Sequence, residues 1–263
     1  MKQIIIDGIA VNDGDNGKPP IIFVHAFPLN SRMWDNQVKE FSDKYRVITY
    51  DVRGLGKSKT INNQFMMEHY ADDFIRIADS LNINKINAVG LSMGGYIIQR
   101  ALLKRRDIFR TITLADTRLG RDNNQGLILR AAAIEKIQTG KRKEFIDDFI
   151  TKLISKENNN NTNLVKRIKE MIEESSDEGI AGSMLALATR TDNTGLFVNT
   201  DIPCLAISGE EDTLTPLQEA QLISSEFKNS ELKIIKESGH LSNIENSKIF
   251  NKELKYFLEK YNE

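Results

Sequence analysis

A serine flanked by glycines interrupts an apolar stretch in the segment INAVGLSMGGYIIQR, residues 86–100. Residues 90–94, GLSMG, fit the pattern G-x-S-x-G and lie between a strand-like run and a helical one. On such a strand-to-helix turn the serine hydroxyl is exposed, and glycines leave room where larger residues would collide. The context therefore predicts that Ser92 is a nucleophile. An ordinary turn of small residues is the structural alternative.

A serine at its ordinary pKa is a weak nucleophile, so this chemistry needs a base and an acid that orients the base. The chain has three histidines. His240 lies on a glycine-flanked loop between the last predicted strand and the final predicted helix, and we predict that it is the base; a surface histidine is the alternative. His69 begins an amphipathic helix and is expected to be exposed. His25 ends a strand, and we expect it to order the following loop by hydrogen bonding.

The acid is sought between the serine and the histidine, because hydrolases with this serine turn carry the three groups in that chain order. The segment AISGEEDTLTP offers Glu210, Glu211 and Asp212 after a predicted strand. We predict Asp212, which is furthest from the strand and closest to the next helix, with Glu211 as the alternative. Its role would be to fix the imidazole tautomer and stabilise the imidazolium.

The elements that must position these residues alternate between strand and helix. Continuous apolar runs suit strands that are covered on both faces, as in a parallel sheet. The predicted strands are 3–11, 19–27, 45–51, 86–91, 111–115, 203–208 and 231–235. The predicted helices are 34–42, 68–81, 93–106, 216–227 and 245–260, with Thr215 and Pro216 as N-cap and first residue of the fourth. This alternation predicts a doubly wound α/β sheet.

One segment breaks the alternation. From 120 to 198 the chain shows helical patterning and no convincing strand, and the run ENNNNTN at 157–163 is predicted to be a solvated loop between two of its helices. Because the strand pattern resumes directly afterwards, we predict a helical lid, or cap, over the carboxyl edge of the sheet. The domains would then be an α/β core of residues 1–119 and 199–263, and an inserted lid of residues 120–198. A separate second domain is the alternative.

Composition limits the classes of partner and site. The chain of 263 residues is 40% hydrophobic and 28% charged, with a formal net charge of −1, which is typical of a globular protein with a sizeable core and no nucleic-acid footprint. One cysteine, Cys204, makes no internal disulfide and is expected to be a buried core residue. One cysteine and three histidines disfavour a structural zinc site. With no apolar run of membrane-spanning length and Asp7 interrupting the N-terminal apolar run, we expect a cytoplasmic protein.

Five blocks of sequence carry a resemblance to a known family. In order, VHAFPLNSRMWDNQ, YDVRGLGKS, VGLSMGG, SGEEDTLTP and SGHLSNIEN resemble signature segments of the α/β-hydrolase superfamily, and of its esterase and 3-oxoadipate enol-lactonase-like members in particular. The resemblance runs from about residue 19 to 260. It implies a mostly parallel α/β-hydrolase sheet, a helical lid inserted after the sixth strand, and serine-hydrolase chemistry without a metal or organic cofactor.

The resemblance also implies an oxyanion hole made of two backbone amides. In the family one amide belongs to the residue after the nucleophile, here Met93, and the other to a loop after the third strand, here Phe27 in HAFP. The family often has His-Gly before this second position, whereas this chain has His25 and Ala26. If the site required a positive φ, alanine would be strained there.

A second motif is excluded. RGLGKS at 53–58 contains the Gly-Lys-Ser of a phosphate-binding loop, but the required upstream glycine position is occupied by Asp51. In the resembling family this stretch is a structural turn, so no nucleotide is implied.

These observations favour a serine hydrolase that cleaves a small carboxylic ester or lactone through an acyl-enzyme on Ser92. Enol-lactone, thioester and C–C bond hydrolysis and the peroxidation of carboxylic acids use the same triad and stay open. From a different class, a ligand-sensing receptor could retain such a pocket with little turnover. The partner is expected to be a small molecule, with no nucleic acid, no membrane span, and a monomer or homodimer as the assembly.

The substrate pocket is expected to be largely apolar. The lid helices should turn apolar residues toward the serine, with Leu127, Leu129, Ile134, Met184 and Leu187 as candidates. A dicarboxylate-derived enol-lactone would instead need a cation in the pocket. The candidates for that cation are Arg118, Arg130 and Arg190, for each of which exposure to solvent is the simpler expectation.

Overall fold

A computed structural model describes residues 1–261 and contains one eight-stranded sheet. The strands are β1 (Lys2–Ile6), β2 (Ile9–Asp13), β3 (Pro20–Val24), β4 (Arg46–Tyr50), β5 (Ile86–Leu91), β6 (Phe109–Ala115), β7 (Cys204–Gly209) and β8 (Ser230–Ile235). Their order across the sheet is β1-β2-β4-β3-β5-β6-β7-β8. β1 and β2 are antiparallel to their neighbours and all other pairs are parallel. The predicted mostly parallel α/β sheet is confirmed.

The first predicted strand was wrong in one respect. Residues 3–11 do not form one strand, because the chain reverses between β1 and β2 at Asp7 and Gly8, with φ values of 47° and 86°. Two successive residues with positive φ form the tight turn whose twist matches that of a β-hairpin, and Asp-Gly is a preferred pair for it. The N-terminal strand prediction therefore becomes a hairpin that extends the sheet at one edge.

Ten α-helices accompany the sheet within the described residues. They are α1 (Asp35–Phe41), α2 (Met67–Ser80), α3 (Met93–Lys104), α4 (Asn124–Gln138), α5 (Arg142–Leu153), α6 (Thr162–Glu173), α7 (Asp177–Ala188), α8 (Leu217–Glu226), α9 (Ser242–Glu245) and α10 (Ser247–Tyr261). Every residue of β5 and β7 is buried, as expected for central parallel strands covered on both faces. Cys204, at the start of β7, is part of this core.

Two helix boundaries differ from the predictions. The stretch 245–260 was expected to form one helix, but α9 ends at Glu245 and α10 begins at Ser247. α8 begins at Leu217 with Pro216 as its N-cap, so Thr215 does not cap it. The Thr215 hydroxyl donates instead to the Asp212 carboxylate, a tertiary partner that helix-start rules do not consider.

Helices α4 to α7 form the inserted segment between β6 and β7. Within the run 157–163, Asn161 caps α6 by accepting a hydrogen bond from Leu164 N at 3.1 Å, so α6 already includes the last two residues of that run. Helix α7 packs closely against the core because it carries small residues: a Cβ at Gly179 would lie 1.6 Å from the carbonyl oxygen of Gly54. The inserted segment is thus anchored to the core through α7.

The turn at 53–58 is structural, as its failed phosphate-loop pattern predicted. Arg53 forms two hydrogen bonds of 2.8 Å with Asp73, and both side chains are buried. Asp51 accepts hydrogen bonds from the Ser31 and Lys57 amides, each at 2.8 Å. These contacts tie the loop after β4 to α2 and to the loop after β3.

Candidate active site

The turn at Ser92 has the geometry that its glycines predicted. β5 ends at Leu91, α3 begins at Met93, and Ser92 between them has φ 54° and ψ −113°, a conformation that non-glycine residues rarely adopt. A Cβ at Gly90 would lie 2.4 Å from the carbonyl oxygen of Gly94, and one at Gly94 would lie 2.1 Å from that of Val24. Both contacts are with backbone atoms, so only glycine fits at either flank.

The structure brings His240 and Asp212 together. His240 Nδ1 lies 2.8 Å from Asp212 Oδ2, and both side chains are buried. The other carboxylate oxygen, Oδ1, accepts hydrogen bonds from the Leu214 and Thr215 amides at 2.8 and 3.0 Å. Glu211, the alternative acid, is exposed to solvent. Of the predicted acids, Asp212 is therefore the one in contact with the imidazole.

The pKa values of the pair shift in opposite directions. Burial opposes the charged form of each group, but the negative charge and hydrogen bond of Asp212 outweigh it and raise the pKa of His240 above its usual value. For Asp212, burial is outweighed by the charge and hydrogen bond of His240 and by the hydrogen bonds from Thr215, so its pKa is lowered. The carboxylate is therefore ionised at neutral pH and favours an imidazolium beside it.

Ser92 and His240 line one cavity of about 490 Å³, together with Phe27. Asp212 lies behind His240 and does not line the cavity. Of the five lid residues expected to face the serine, Leu129, Met184 and Leu187 line this cavity, whereas Leu127 and Ile134 do not. The remaining apolar lining consists of Tyr96, Ala132, Ala133, Phe145, Phe149 and Leu214.

Two backbone amides next to the serine have no protein acceptor. Among the described residues, neither the Phe27 amide nor the Met93 amide donates a hydrogen bond to the protein. Met93 is the first residue of α3, where helix amides lack an intrahelical partner. Ala26 is absent from the residues with positive φ, so the departure from His-Gly causes no strain of that kind. The Phe27 ring packs edge-on against Phe149, with 5.8 Å between ring centroids.

The other two histidines lie outside this cavity. His25 Nδ1 donates to the Ala26 carbonyl at 2.9 Å and its Nε2 accepts from the Val52 amide at 2.8 Å, so it orders the two loops as expected. Burial lowers the pKa of His25, which keeps the ring neutral despite the nearby Asp51. His69 lies in α2 and is half-buried rather than exposed.

The cavity is more charged than expected. Its lining includes the charged side chains Arg118, Asp122, Arg130, Lys136, Asp148 and Lys152. Lys136 pairs with Asp148 at 2.7 Å, while Asp122 accepts hydrogen bonds from both Arg130 and Arg190. Two arginines share one carboxylate, so this part of the wall has an excess of positive charge. The expectation of a largely apolar pocket therefore holds for most of the lining but not for this charged part of the wall.

The three candidate arginines have different surroundings. Arg190 is buried, stacks on Tyr96 with 4.3 Å from its guanidinium carbon to the ring centroid, and does not line the cavity. Arg118 lines the cavity but donates to the carbonyl of Leu214, in the loop that carries Asp212. Arg130 pairs with Asp122 only through Nε, so its two terminal nitrogens are available to a ligand.

Sequence reasoning missed two polar residues next to the His240–Asp212 pair. Thr215 donates to Asp212 Oδ2 at 2.5 Å and also lies 3.3 Å from His240 Nδ1. Asp116, which directly follows β6, is buried and accepts a hydrogen bond from the Gly209 amide at 2.7 Å. The signal in the sequence that points to Asp116 is its position as a polar residue directly after a buried strand.

Comparisons with known proteins show the family of the chain. A family model described as the alpha/beta hydrolase fold matches residues 19–247. The 3-oxoadipate enol-lactonase 2 of Acinetobacter baylyi is 28% identical over 255 residues, which cover 95% of this chain and 92% of that protein. A non-heme chloroperoxidase of Burkholderia pyrrocinia is 26% identical over 263 residues, 94% of each chain.

A solved structure covers the whole molecule. The thermophilic esterase of Thermogutta terrifontis, solved with malate bound, has a TM-score of 0.92 and 29% sequence identity, with 99% of each chain covered. These similarities confirm the predicted fold and support the prediction that the protein is an ester-hydrolysing enzyme. With the family model matching most of its length, the chain belongs to the alpha/beta hydrolase fold family.

Proposed function

We propose that this protein is a carboxylic ester hydrolase that cleaves a small ester or lactone through an acyl-enzyme on Ser92. One observation carries the proposal: a serine held at positive φ lines the same cavity as His240, which is hydrogen-bonded to the buried Asp212. An exposed hydroxyl, a base and an acid that orients the base are the parts that acyl transfer to serine requires.

In the proposed reaction, His240 acts through its Nε2. The hydrogen bond to Asp212 places the imidazole proton on Nδ1, which leaves Nε2 free to take the Ser92 proton as the oxygen attacks the carbonyl carbon. The imidazolium then returns that proton to the leaving alcohol oxygen, and the acyl group stays on Ser92. Water, deprotonated by His240 in the same way, releases the carboxylic acid.

The amides of Phe27 and Met93 are proposed to hold the oxyanion. Neither donates to a protein acceptor, and the Met93 amide belongs to the first turn of α3, where the helix dipole favours negative charge. Donors that are fixed before the reaction stabilise the charge at the moment it develops, and loss of one typically costs about 100- to 1,000-fold in kcat.

The inserted segment, residues 120–198, is proposed to act as the lid. Its helices α4, α5 and α7 contribute Leu129, Phe149 and Met184 to the wall of the cavity opposite the serine turn. On this basis the lid sets which acyl and alcohol groups fit, and the α/β core of residues 1–119 and 199–263 supplies the chemistry.

The experiment that tests the proposed function is a series of p-nitrophenyl esters and simple lactones of increasing acyl length. We expect many turnovers per enzyme molecule on short to medium acyl chains, because the cavity of about 490 Å³ limits the length that fits. Stoichiometric release of p-nitrophenol without further turnover would favour the ligand-sensing receptor. Thioesters and C–C substrates, added to the same panel, test the other reactions that share the triad.

The activity should depend on pH through His240. The base works only when unprotonated, and because Asp212 raises the pKa of His240, kcat/KM should rise with pH and reach half its maximum above pH 6.5, the ordinary value for histidine. A pH profile of p-nitrophenyl ester hydrolysis between pH 5 and pH 9 measures this midpoint. A midpoint below the ordinary histidine value would contradict the assignment of a carboxylate-paired base.

A second candidate substrate class is an ester or lactone that carries a carboxylate. The observation in its favour is Arg130, whose terminal guanidinium nitrogens have no protein partner in the described structure and face a cavity with excess positive charge. Two cations share Asp122, so a substrate carboxylate would complete the charge balance. This class includes the enol-lactones that the relative from Acinetobacter is named for.

Arg130→Gln distinguishes the two substrate classes. We expect kcat/KM for a mono-p-nitrophenyl dicarboxylate ester to fall by about 10- to 100-fold, because hydrogen bonds to charged groups contribute roughly 1.5–3 kcal/mol. Turnover of neutral p-nitrophenyl butyrate should change little. Arg121→Gln is the matched control, since Arg121 lies outside this cavity. Equal losses on the two esters would contradict a carboxylate-binding role for Arg130.

A further inference from the structure

The end of β6 contacts the backbone on both sides of Ser92. The Ser92 amide donates to the Ala115 carbonyl at 2.9 Å, and the Thr117 hydroxyl donates to the Ser92 carbonyl at 2.9 Å. The serine conformation is therefore fixed by the two residues that flank Asp116. None of the proposed catalytic steps uses these contacts.

Asp116 lies between them and contacts the loops of the other two proposed catalytic residues. Its Oδ1 accepts a hydrogen bond from the Gly209 amide at 2.7 Å. Gly209 is the first residue of a turn that includes Asp212, because the Asp212 amide donates to the Gly209 carbonyl at 3.2 Å. Oδ2 of Asp116 is hydrogen-bonded to the Ser242 hydroxyl, just after His240. One buried carboxyl group thus connects the acid loop after β7 with the histidine loop after β8.

The backbone of Asp116 is in the left-handed region. Its φ is 45°, which aspartate and asparagine tolerate better than most residues, and its amide donates to the Ile207 carbonyl at 2.9 Å. The side chain is only 1% exposed, so its hydrogen bonds are not in competition with water.

We propose that Asp116 is a positioning residue that holds the loop carrying Asp212 in register with the loop carrying His240. The inference rests on the proposed function, because its purpose is to keep these two side chains at hydrogen-bonding distance. The Glu211 amide also donates directly to the Ser238 carbonyl at 2.8 Å, so Asp116 is one of at least two connections between the loops. A displacement of about 1 Å in a catalytic group can cost roughly 100-fold in rate, so loss of the Asp116 connection should have a measurable effect.

The charge state of Asp116 gives the proposal a distinctive test. Burial, together with the negative charge of Asp212, raises the pKa of Asp116 to about 8, while His240 and the hydrogen bonds from Ser242 and Gly209 oppose the rise. Loss of the charge at this position should therefore be tolerated if both contacts are kept, because a hydroxyl such as that of Ser242 can accept a hydrogen bond as well as donate one. Arg118 is the nearby cation that acts on His240, and it lowers the pKa of that ring.

The test compares Asp116→Asn with Asp116→Gly. Asparagine has the shape of the protonated acid, with an oxygen to accept from Gly209 and an NH₂ to donate to Ser242, so kcat at pH 7 should stay near wild type. Glycine suits the positive φ but lacks both hydrogen bonds, so kcat should fall by about 10- to 100-fold while KM changes little. Wild-type kcat in Asp116→Gly would overturn the proposal, as would equal losses in both variants with unchanged thermal melts.

A second measurement does not depend on turnover. Amide hydrogen exchange of the peptides covering 209–215 and 239–245 should be faster in Asp116→Gly than in wild type and unchanged in Asp116→Asn. Exchange in the turn at 53–58, which Asp116 does not contact, is the control region. Unchanged exchange in Asp116→Gly would overturn the positioning role, whether or not the protein hydrolyses an ester. Absence of ester turnover by the wild-type protein would instead refute the proposed function.

Discussion

Replacement of Ser92 by alanine is expected to lower kcat for p-nitrophenyl esters by about a millionfold, because loss of a triad serine removes covalent catalysis altogether. The thermal melt should stay close to that of wild type. The Ser92 side chain does not cap α3, and alanine at the same φ of 54° adds no atoms, so few native interactions are lost. Activity and melting temperature measured on the same preparations separate a chemical loss from an unfolded protein.

The result would contradict the account if Ser92→Ala retained more than about a thousandth of wild-type kcat, since a residual rate of that size exceeds what an oxyanion hole and binding alone supply. Another nucleophile would then carry the reaction. Ser183 is the matched control: it is buried, its hydroxyl lies 3.0 Å from the Tyr70 hydroxyl and it does not line the cavity, so Ser183→Ala should retain acyl transfer.

Asp212→Asn is expected to lower kcat by about 10,000-fold, because an amide at this position favours the wrong imidazole tautomer. The Leu214 and Thr215 amides would still donate to the asparagine oxygen, which leaves its NH₂ facing His240 Nδ1. Nδ1 would then accept a hydrogen bond, and the proton would move to Nε2, where it blocks attack by serine. Steady-state kinetics at the pH optimum, together with a thermal melt, measure the effect.

Glu211→Gln is the control for this substitution. It makes the same change of acid to amide one position earlier, on a side chain that is exposed and does not contact His240. We expect kcat within about twofold of wild type, as is usual for surface substitutions away from a site. A large loss in Glu211→Gln with a small one in Asp212→Asn would reassign the acid.

Much of the site could be predicted because its parts are local. Ser92 is identified by glycines that backbone sterics require on either side of it, and His240 and Asp212 by their loops after predicted strands. Parallel strands bring such loops to one edge of a sheet, so chain order alone predicted that the three residues would meet. The fold followed from the same alternation of strand and helix, and its central strands are buried on both faces as the apolar runs indicated.

The missed features depend on tertiary partners. Asp7 and Gly8 were read within one strand because apolar residues lie on both sides of the turn, and only the pairing of β1 with β2 shows the hairpin. Thr215 follows helix-start rules locally, but a buried carboxylate is its stronger partner. Asp116 had no recognisable sequence motif, since its contacts come from two loops that are distant in the chain.

The lining of the cavity could not be predicted for a different reason. Helix α4 contains the run LILRAAAI, in which apolar residues occur on all sides, so periodicity does not determine which side faces the serine. Packing against the rest of the protein decides that Leu129 and Arg130 line the cavity and that Leu127 does not. The orientation of α4 about its own axis therefore also places the charged side chain of Arg130 in the wall of the cavity.

The acyl-enzyme on Ser92 can be tested directly by mass spectrometry. The protein is treated with a fluorophosphonate, which labels activated serines, and digested with trypsin, which releases Ser92 in the peptide of residues 86–100. We predict one adduct per chain, located on Ser92 and absent from Ser92→Ala, with loss of ester turnover in proportion to labelling. An adduct on another residue, or equal labelling of Ser92→Ala, would contradict the central claim.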